Sequence, residues 1–190
     1  MIKRTLFFML VAFLLISCKS EQQIDLDAQK TKELISQIMK TREGYIDTAN
    51  CITEGSGSAD IRSIEDMQYL AERHLGITDS LHLKNQLDLF QAFKITEEYA
   101  GQLKIITDAT FKELEERSQK GEVNFFDWLI SNCTNGYWSI AKPIFNETYD
   151  LALVVDGSLC GPLCGGGGTY IYKLQDGQWV EFKIISSWVS

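Results

Sequence analysis

The residues of this chain best suited to chemistry are the thiols of Cys160 and Cys164, with three residues between them in Cys160-Gly161-Pro162-Leu163-Cys164. Two thiols so placed can close a disulfide, hold a soft metal or exchange electrons. Cys51 and Cys133 are the other thiols in the body of the chain, and His74 and His82 are its only imidazoles. A zinc site built from Cys160, Cys164, His74 and His82 does not fit, because zinc motifs bring their ligands in close pairs in both halves. Each histidine lies in or beside a segment with an apolar helical stripe, so a solvated or hydrogen-bonded imidazole accounts for it. No metal and no cofactor is expected.

Cys160-Gly161-Pro162-Leu163-Cys164 resembles the thioredoxin motif Cys-Gly-Pro-Cys with one residue inserted. Redox cysteines of that kind use a helix N-terminus to stabilise the thiolate. Here Gly165 to Gly168 and then a strand follow, which favours a structural loop disulfide over thiol–disulfide exchange. The four glycines lack the Lys-Ser/Thr pair of a phosphate loop and lead into a strand, so flexibility or close backbone packing explains them. Ser56, Ser58 and Ser158 have no Gly-x-Ser-x-Gly frame. Glu97-Glu98 and Glu115-Glu116 read as solvated helix faces. The residues therefore argue more for a non-catalytic protein than for an enzyme.

At the other end, Lys3 and Arg4 precede eleven apolar residues, Leu6 to Ile16, and then Ser17-Cys18. Eleven residues make a signal-peptide core and fall short of the ~20 that span a bilayer. Leu15-Ile16-Ser17-Cys18 resembles the lipobox of bacterial lipoproteins. The resemblance implies cleavage before Cys18, acylation of that cysteine and attachment to a membrane of the cell envelope, the outer membrane or cell surface before the inner membrane. Residues 1–17 are then the signal peptide, 18–26 the lipidated cysteine and tether, and 27–190 one domain. At ~0.8 kcal/mol per buried methylene, several acyl chains hold far more firmly than one.

With Cys18 taken by lipid, Cys51, Cys133, Cys160 and Cys164 enter an oxidising compartment, where an even count suggests two disulfides with three connectivities. The preferred pairing is Cys160 with Cys164 and Cys51 with Cys133. In the chain-entropy picture the first contributes about 2 kcal/mol and the second roughly 4–5.

Removing residues 1–17 takes two of eighteen basic residues and no acidic ones, leaving sixteen against twenty-six and a formal charge of −10. That balance argues against phosphate-backbone binding, which needs clustered Lys and Arg, so no nucleic-acid partner is expected. It also argues against a second, electrostatic contact with anionic lipid, so apart from its lipid the domain is expected to sit off the membrane.

The elements that position these residues divide in two. Leu34, Ile35, Ile38 and Met39 predict a helix over roughly 28–42; Tyr45 to Ser58 reads as a loop. Ile61, Ile64, Met67, Leu70, Ala71 and Leu75 form a helical stripe stopped by Gly76, and a third helix is expected over 80–92. Residues 93–107 give conflicting signals. Thr110 and Glu113 have capping-box spacing, and Phe125 to Ile130 reads as helical. From Gly136 onwards the pattern is β: Tyr137 to Phe145 broken at Pro143, Leu151 to Val155, and Tyr170 to Leu174 joined by Asp176-Gly177 to Trp179 to Ile185. The expectation is α+β, helical over 27–136, with a C-terminal antiparallel sheet of three or four strands over 137–190.

Ser139 to Phe145, Ala152, Cys160 to Gly165, Gly177-Gln178-Trp179 and Trp188-Val189-Ser190 together resemble a group of small uncharacterised exported bacterial proteins, which implies a shared fold. Tyr170 and Tyr172 share a strand face, and Trp179 and Trp188 lie on the next strand. Such rows stack on sugars or partner proteins when exposed and fill the core when not. Asp47-Thr48-Ala49 and Asp79-Ser80-Leu81 resemble bacterial O-glycosylation acceptors. The expected function is a lipid-anchored envelope protein that binds or supports a protein or glycan partner; the alternatives are a thiol–disulfide protein using Cys160 and Cys164, or an inhibitor or immunity lipoprotein.

Overall fold

The computed structural model describes residues 26–41, 49–55 and 63–190. The proposed signal peptide and lipobox, Asp47-Thr48, Ser56 and Ser58 lie outside the described residues.

Helix α1 covers 26–41 and its stripe Leu34, Ile35 and Ile38 is wholly buried. Strand β1, Cys51–Thr53, follows, then α2, Ile64–Leu75, and α3, Ser80–Ala92. Ser63 caps α2, and Gly76 ends it in the left-handed conformation at φ +67°, the stop that its sequence predicts. Residues 93–107 resolve into a short helix, α4 (Glu97–Ala100), and a strand, β2 (Lys104–Ile106). Helix α5, Asp108–Gln119, starts earlier than the Thr110 capping box suggests. Thr107 is its cap, with Oγ1 accepting from the Thr110 N–H at 3.2 Å. Helix α6 spans Phe125–Asn132.

The remainder is β3 (Tyr137–Ile140), β4 (Ile144–Phe145), β5 (Leu151–Gly161), β6 (Cys164–Gln175) and β7 (Gln178–Val189). The break between β3 and β4 falls at Pro143, which has no N–H to give the ladder. Asp176 and Gly177 both take positive φ, +51° and +80°, as a two-residue type I′ hairpin turn requires.

The fold is α+β, with helices leading and the antiparallel strands closing the chain. The sheet has seven strands in the order β2-β1-β3-β5-β6-β7, with β4 beside β5. It exceeds the three or four expected because β1 and β2 come from the helical half and pair in parallel with their neighbours, and because Tyr137 to Phe145 divides into β3 and β4. Cys51–Thr53 is thus a strand inside the segment expected to loop. The glycine run does not precede the strand but belongs to it: Gly165 to Gly168 lie within β6, paired to β5 and β7.

Alternation places Trp138, Ile140, Ala152, Val154, Tyr170 and Tyr172 on one face, where they pack with Leu34, Ile35 and Ile38 of α1. Leu153, Val155 and Ile171 point the other way, onto Met67, Leu70, Ala71 and Leu75 of α2 and Leu83 of α3. Near β1, α5 and α6 cover that second face through Phe111 and Leu129, which pack with Tyr137 of β3. The sheet is the middle layer of three.

Candidate functional site

The four thiols form the two expected bonds. Cys51 in β1 joins Cys133, the residue capping α6, with Cα atoms 5.7 Å apart and both side chains fully buried. This bridge ties a three-residue parallel strand to the helix covering it, across 82 residues of sequence. Cys160 joins Cys164 with Cα atoms 5.1 Å apart. Cys160 lies near the end of β5 and Cys164 opens β6, so this disulfide closes the tip of a β-hairpin whose Leu163 is 88% exposed. Neither sulfur sits at a helix N-terminus, the arrangement that would lower a thiol pKa.

The structure does not gather the other candidate ligands around this pair. His82 is 3% exposed, its Nε2 is 2.9 Å from the Phe145 carbonyl oxygen, and its ring meets Tyr149 edge-on. His74 is half-buried at the end of α2. Among the described residues no group of three or more His, Cys, Asp and Glu side chains comes together to hold a metal. Ser80 is exposed at the first position of α3, where Asp79 is the cap.

The aromatic row is not an exposed platform. Tyr170, Tyr172 and Trp179 are at most 8% exposed, and all three pack into the core beneath α1. Gln37 of α1 fixes this arrangement by bonding both backbone groups of Trp179, donating to its carbonyl at 2.6 Å and accepting from its N–H at 2.8 Å. Trp188 is half-buried and lies across Gly157 and Gly167. A Cβ on Gly167 would meet the Asp156 carbonyl oxygen at 2.5 Å and the Trp188 indole nitrogen at 3.1 Å. Close packing, not flexibility, is therefore the use of the glycines.

Tyr170 and Trp188 do contribute to a pocket of about 440 Å³, within the range of ~300–1,000 Å³ typical of small-ligand sites. Its inner wall includes Trp138 and the wholly buried Asp156; Glu181, Ile184 and Ser187 of β7 stand at its mouth. Sequence reasoning missed Trp138 and Asp156, since a lone Trp and a lone Asp inside strands carry no motif.

A second polar feature is buried outright. Lys142, in the β3–β4 break, donates from Nζ to Asp27 at 2.8 and 3.1 Å, to Gln86 at 3.3 Å and to the Pro143 carbonyl at 2.9 Å. Gln86 in turn donates to Asp27 at 2.6 Å and accepts from the Phe145 N–H at 2.9 Å. Burial pushes the Lys142 ammonium pKa down, and the Asp27 carboxylate opposes that shift. The network joins α1, α3 and the sheet, and its satisfied partners mark it as structural.

Two exposed aromatic rings, one on α2 and one on β7, each have a cation above them. Tyr69 is 54% exposed with the Arg73 guanidinium 5.7 Å above its ring, and Phe182 is 61% exposed with the Lys173 ammonium 5.7 Å above its ring. Lys183 stands opposite Ile171 on the same sheet face. Desolvation first, then the charges of Lys183 and Arg73, hold the His74 pKa below its usual value. Of the six basic side chains with an ion pair among the described residues, none is Arg73, Lys173 or Lys183.

No family model, no curated protein and no solved structure matches this chain. Function is therefore argued from the residues themselves.

Proposed function

We propose that the protein is a lipoprotein of the bacterial cell envelope, acylated at Cys18, exported as a disulfide-stabilised α+β domain, and non-catalytic, binding or supporting a protein or glycan partner. The basic start, the eleven-residue apolar run and Leu15-Ile16-Ser17-Cys18 carry the reading. Its support in the fold is the use of thiols: every cysteine other than Cys18 is in a disulfide, as suits an oxidising compartment, while the lipobox cysteine stands outside that scheme.

Membrane fractionation of expressing cells tests it. The wild-type chain is expected in the membrane fraction and extracted only by detergent. The Cys18→Ala chain is expected to lose acylation and to leave the detergent-extracted pool. Equal partitioning of the two chains, with no acyl label on either, would remove the basis of the reading.

A further inference from the structure

We propose that the pocket over the glycine stretch of β5 and β6 binds an uncharged sugar ring. The inference rests on the partner-binding half of the reading above and gives it a site and a ligand class, a glycan that offers a neutral pyranose.

The strand register assembles this pocket on one face of the sheet. Ser158 pairs with Trp138 on one side and Gly166 on the other, while Tyr170 pairs with Val154 and Ile184. Residues opposite one another share a face, and Asp156 lies between Val154 and Ser158 at the same phase of β5. Trp138, Asp156, Ser158, Tyr170 and Ile184 therefore form one wall across four strands, on the side where α1 packs. Thr41, the last described residue of α1, stands at its rim, and Glu181, paired with Tyr172, at its mouth.

The glycines supply the floor. Close packing fixes glycine at 167 and 168, where a Cβ would strike the carbonyl oxygens of Asp156 and Ser186. Gly166 is under less pressure, for a Cβ there would find only the Trp188 carbonyl oxygen at 3.3 Å and Val189 Cγ1 at 3.6 Å. It shares the face of Ser158, so a side chain at 166 would occupy the pocket itself. Bare backbone at 157, 166 and 167 leaves a flat floor.

The polar groups select the ligand. Among the described lining residues there is no Lys, Arg or His, and there are two carboxylates, Asp156 and Glu181, so an anion is disfavoured. Trp138 is 1% exposed, and its indole N–H has no hydrogen-bond acceptor among the described residues. A buried donor in that state favours a ligand that accepts. An ammonium ion would suit the carboxylates but brings no lone pair to the indole. A hydroxyl donates and accepts, so a polyol answers both. The apolar C–H face of a pyranose matches the flat floor beside Trp138, Tyr170 and Ile184, and about 440 Å³ has room for a short saccharide.

Nuclear magnetic resonance of the oxidised mature chain, residues 18–190 with Cys18→Ala to remove the lipid, tests this. Each of the four tryptophans gives one indole N–H signal, and that of Trp138 is the reporter. Glucose, galactose, mannose and N-acetylglucosamine are titrated to about 50 mM, well above the millimolar affinity expected of one ring, with glucuronate and glucosamine as charged comparators. At least one neutral sugar is expected to shift the Trp138 signal saturably and more tightly than either comparator. Gly166→Val, which fills the floor, should abolish the shift, and Glu181→Ala should weaken binding about tenfold. Unchanged melting curves would show both variants folded; should Gly166→Val unfold, exposed Glu181→Ala carries the test. Silence with all four neutral sugars, tighter binding of a charged comparator, or affinity unchanged in a folded variant would overturn the inference. Fractionation reads the acylation of Cys18 without any sugar, so either proposal can fail alone.

Discussion

Lys142 and Asp27 set the firmest expectation for a single side chain. Both are at most 4% exposed and their atoms are fully engaged, so removing one leaves the other charged, buried and unpaired. Lys142→Met should destabilise the fold by about 3–5 kcal/mol in denaturant titration, and adding Asp27→Leu should restore part of that loss. If the single change costs no more than an exposed ion pair, the network is not holding α1. Glu147 gives a gentler, pH-dependent effect. Its carboxylate accepts the N–H groups of Thr78 and Asp79 at 2.8 and 3.1 Å, and those bonds hold its pKa below the ordinary 4.5. A depressed carboxyl pKa stabilises the fold above the unfolded value and stops doing so as pH falls through the folded one. Melting temperature measured from pH 6 to pH 3 should therefore fall less steeply for Glu147→Gln than for wild type, the difference opening below about pH 4.5.

At the scale of elements, the two disulfides should differ in consequence. Cys51 and Cys133 bind a three-residue strand to the end of α6, and Cys51→Ala with Cys133→Ala should cost about 2–5 kcal/mol. Cys160→Ala with Cys164→Ala, at an exposed hairpin tip already zipped by ten β5–β6 pairs, should cost about 2 kcal/mol or less. Mass-mapped thiol labelling across a glutathione series should find Cys160–Cys164 resistant, as a structural bond is; cycling near the potentials of known oxidoreductases would instead favour the redox alternative. Elements with their own local signals were legible in the sequence: α2 with its left-handed Gly76 stop, α3, and the Asp176-Gly177 hairpin. β1 and β2 were not, because three residues hold too little alternation to announce a strand and their parallel pairing is settled by distant chain. The choice between flexibility and close packing for the glycines was open for a related reason. Their role in β6 depends on Trp188 and Tyr170 packing across them, which no local pattern encodes.

For the whole molecule, composition yields the sign of the charge and conceals its layout. Arg73 lies a hundred residues from Lys173, and α2 packs on β5 while Lys173 stands on β6 beside it. Asp27 and Lys142 are equally remote in sequence and meet because α1 crosses the opposite face of the sheet. The molecule that results is asymmetric: a helix that follows the tether is pinned into the core, Lys173 and Lys183 stand on β6 and β7, and the acidic α5 packs near β1 and β2. Such a layout suits a domain held at a surface in a preferred orientation. The lipid-anchor reading depends on the chemistry of one residue, so the decisive measurement is the mass of the N-terminal peptide of the mature protein isolated from membranes. The account predicts a peptide that begins at Cys18 and carries a diacylglyceryl group with or without a third acyl chain. A peptide that retains residues 1–17, or that begins at an unmodified Cys18, would contradict it.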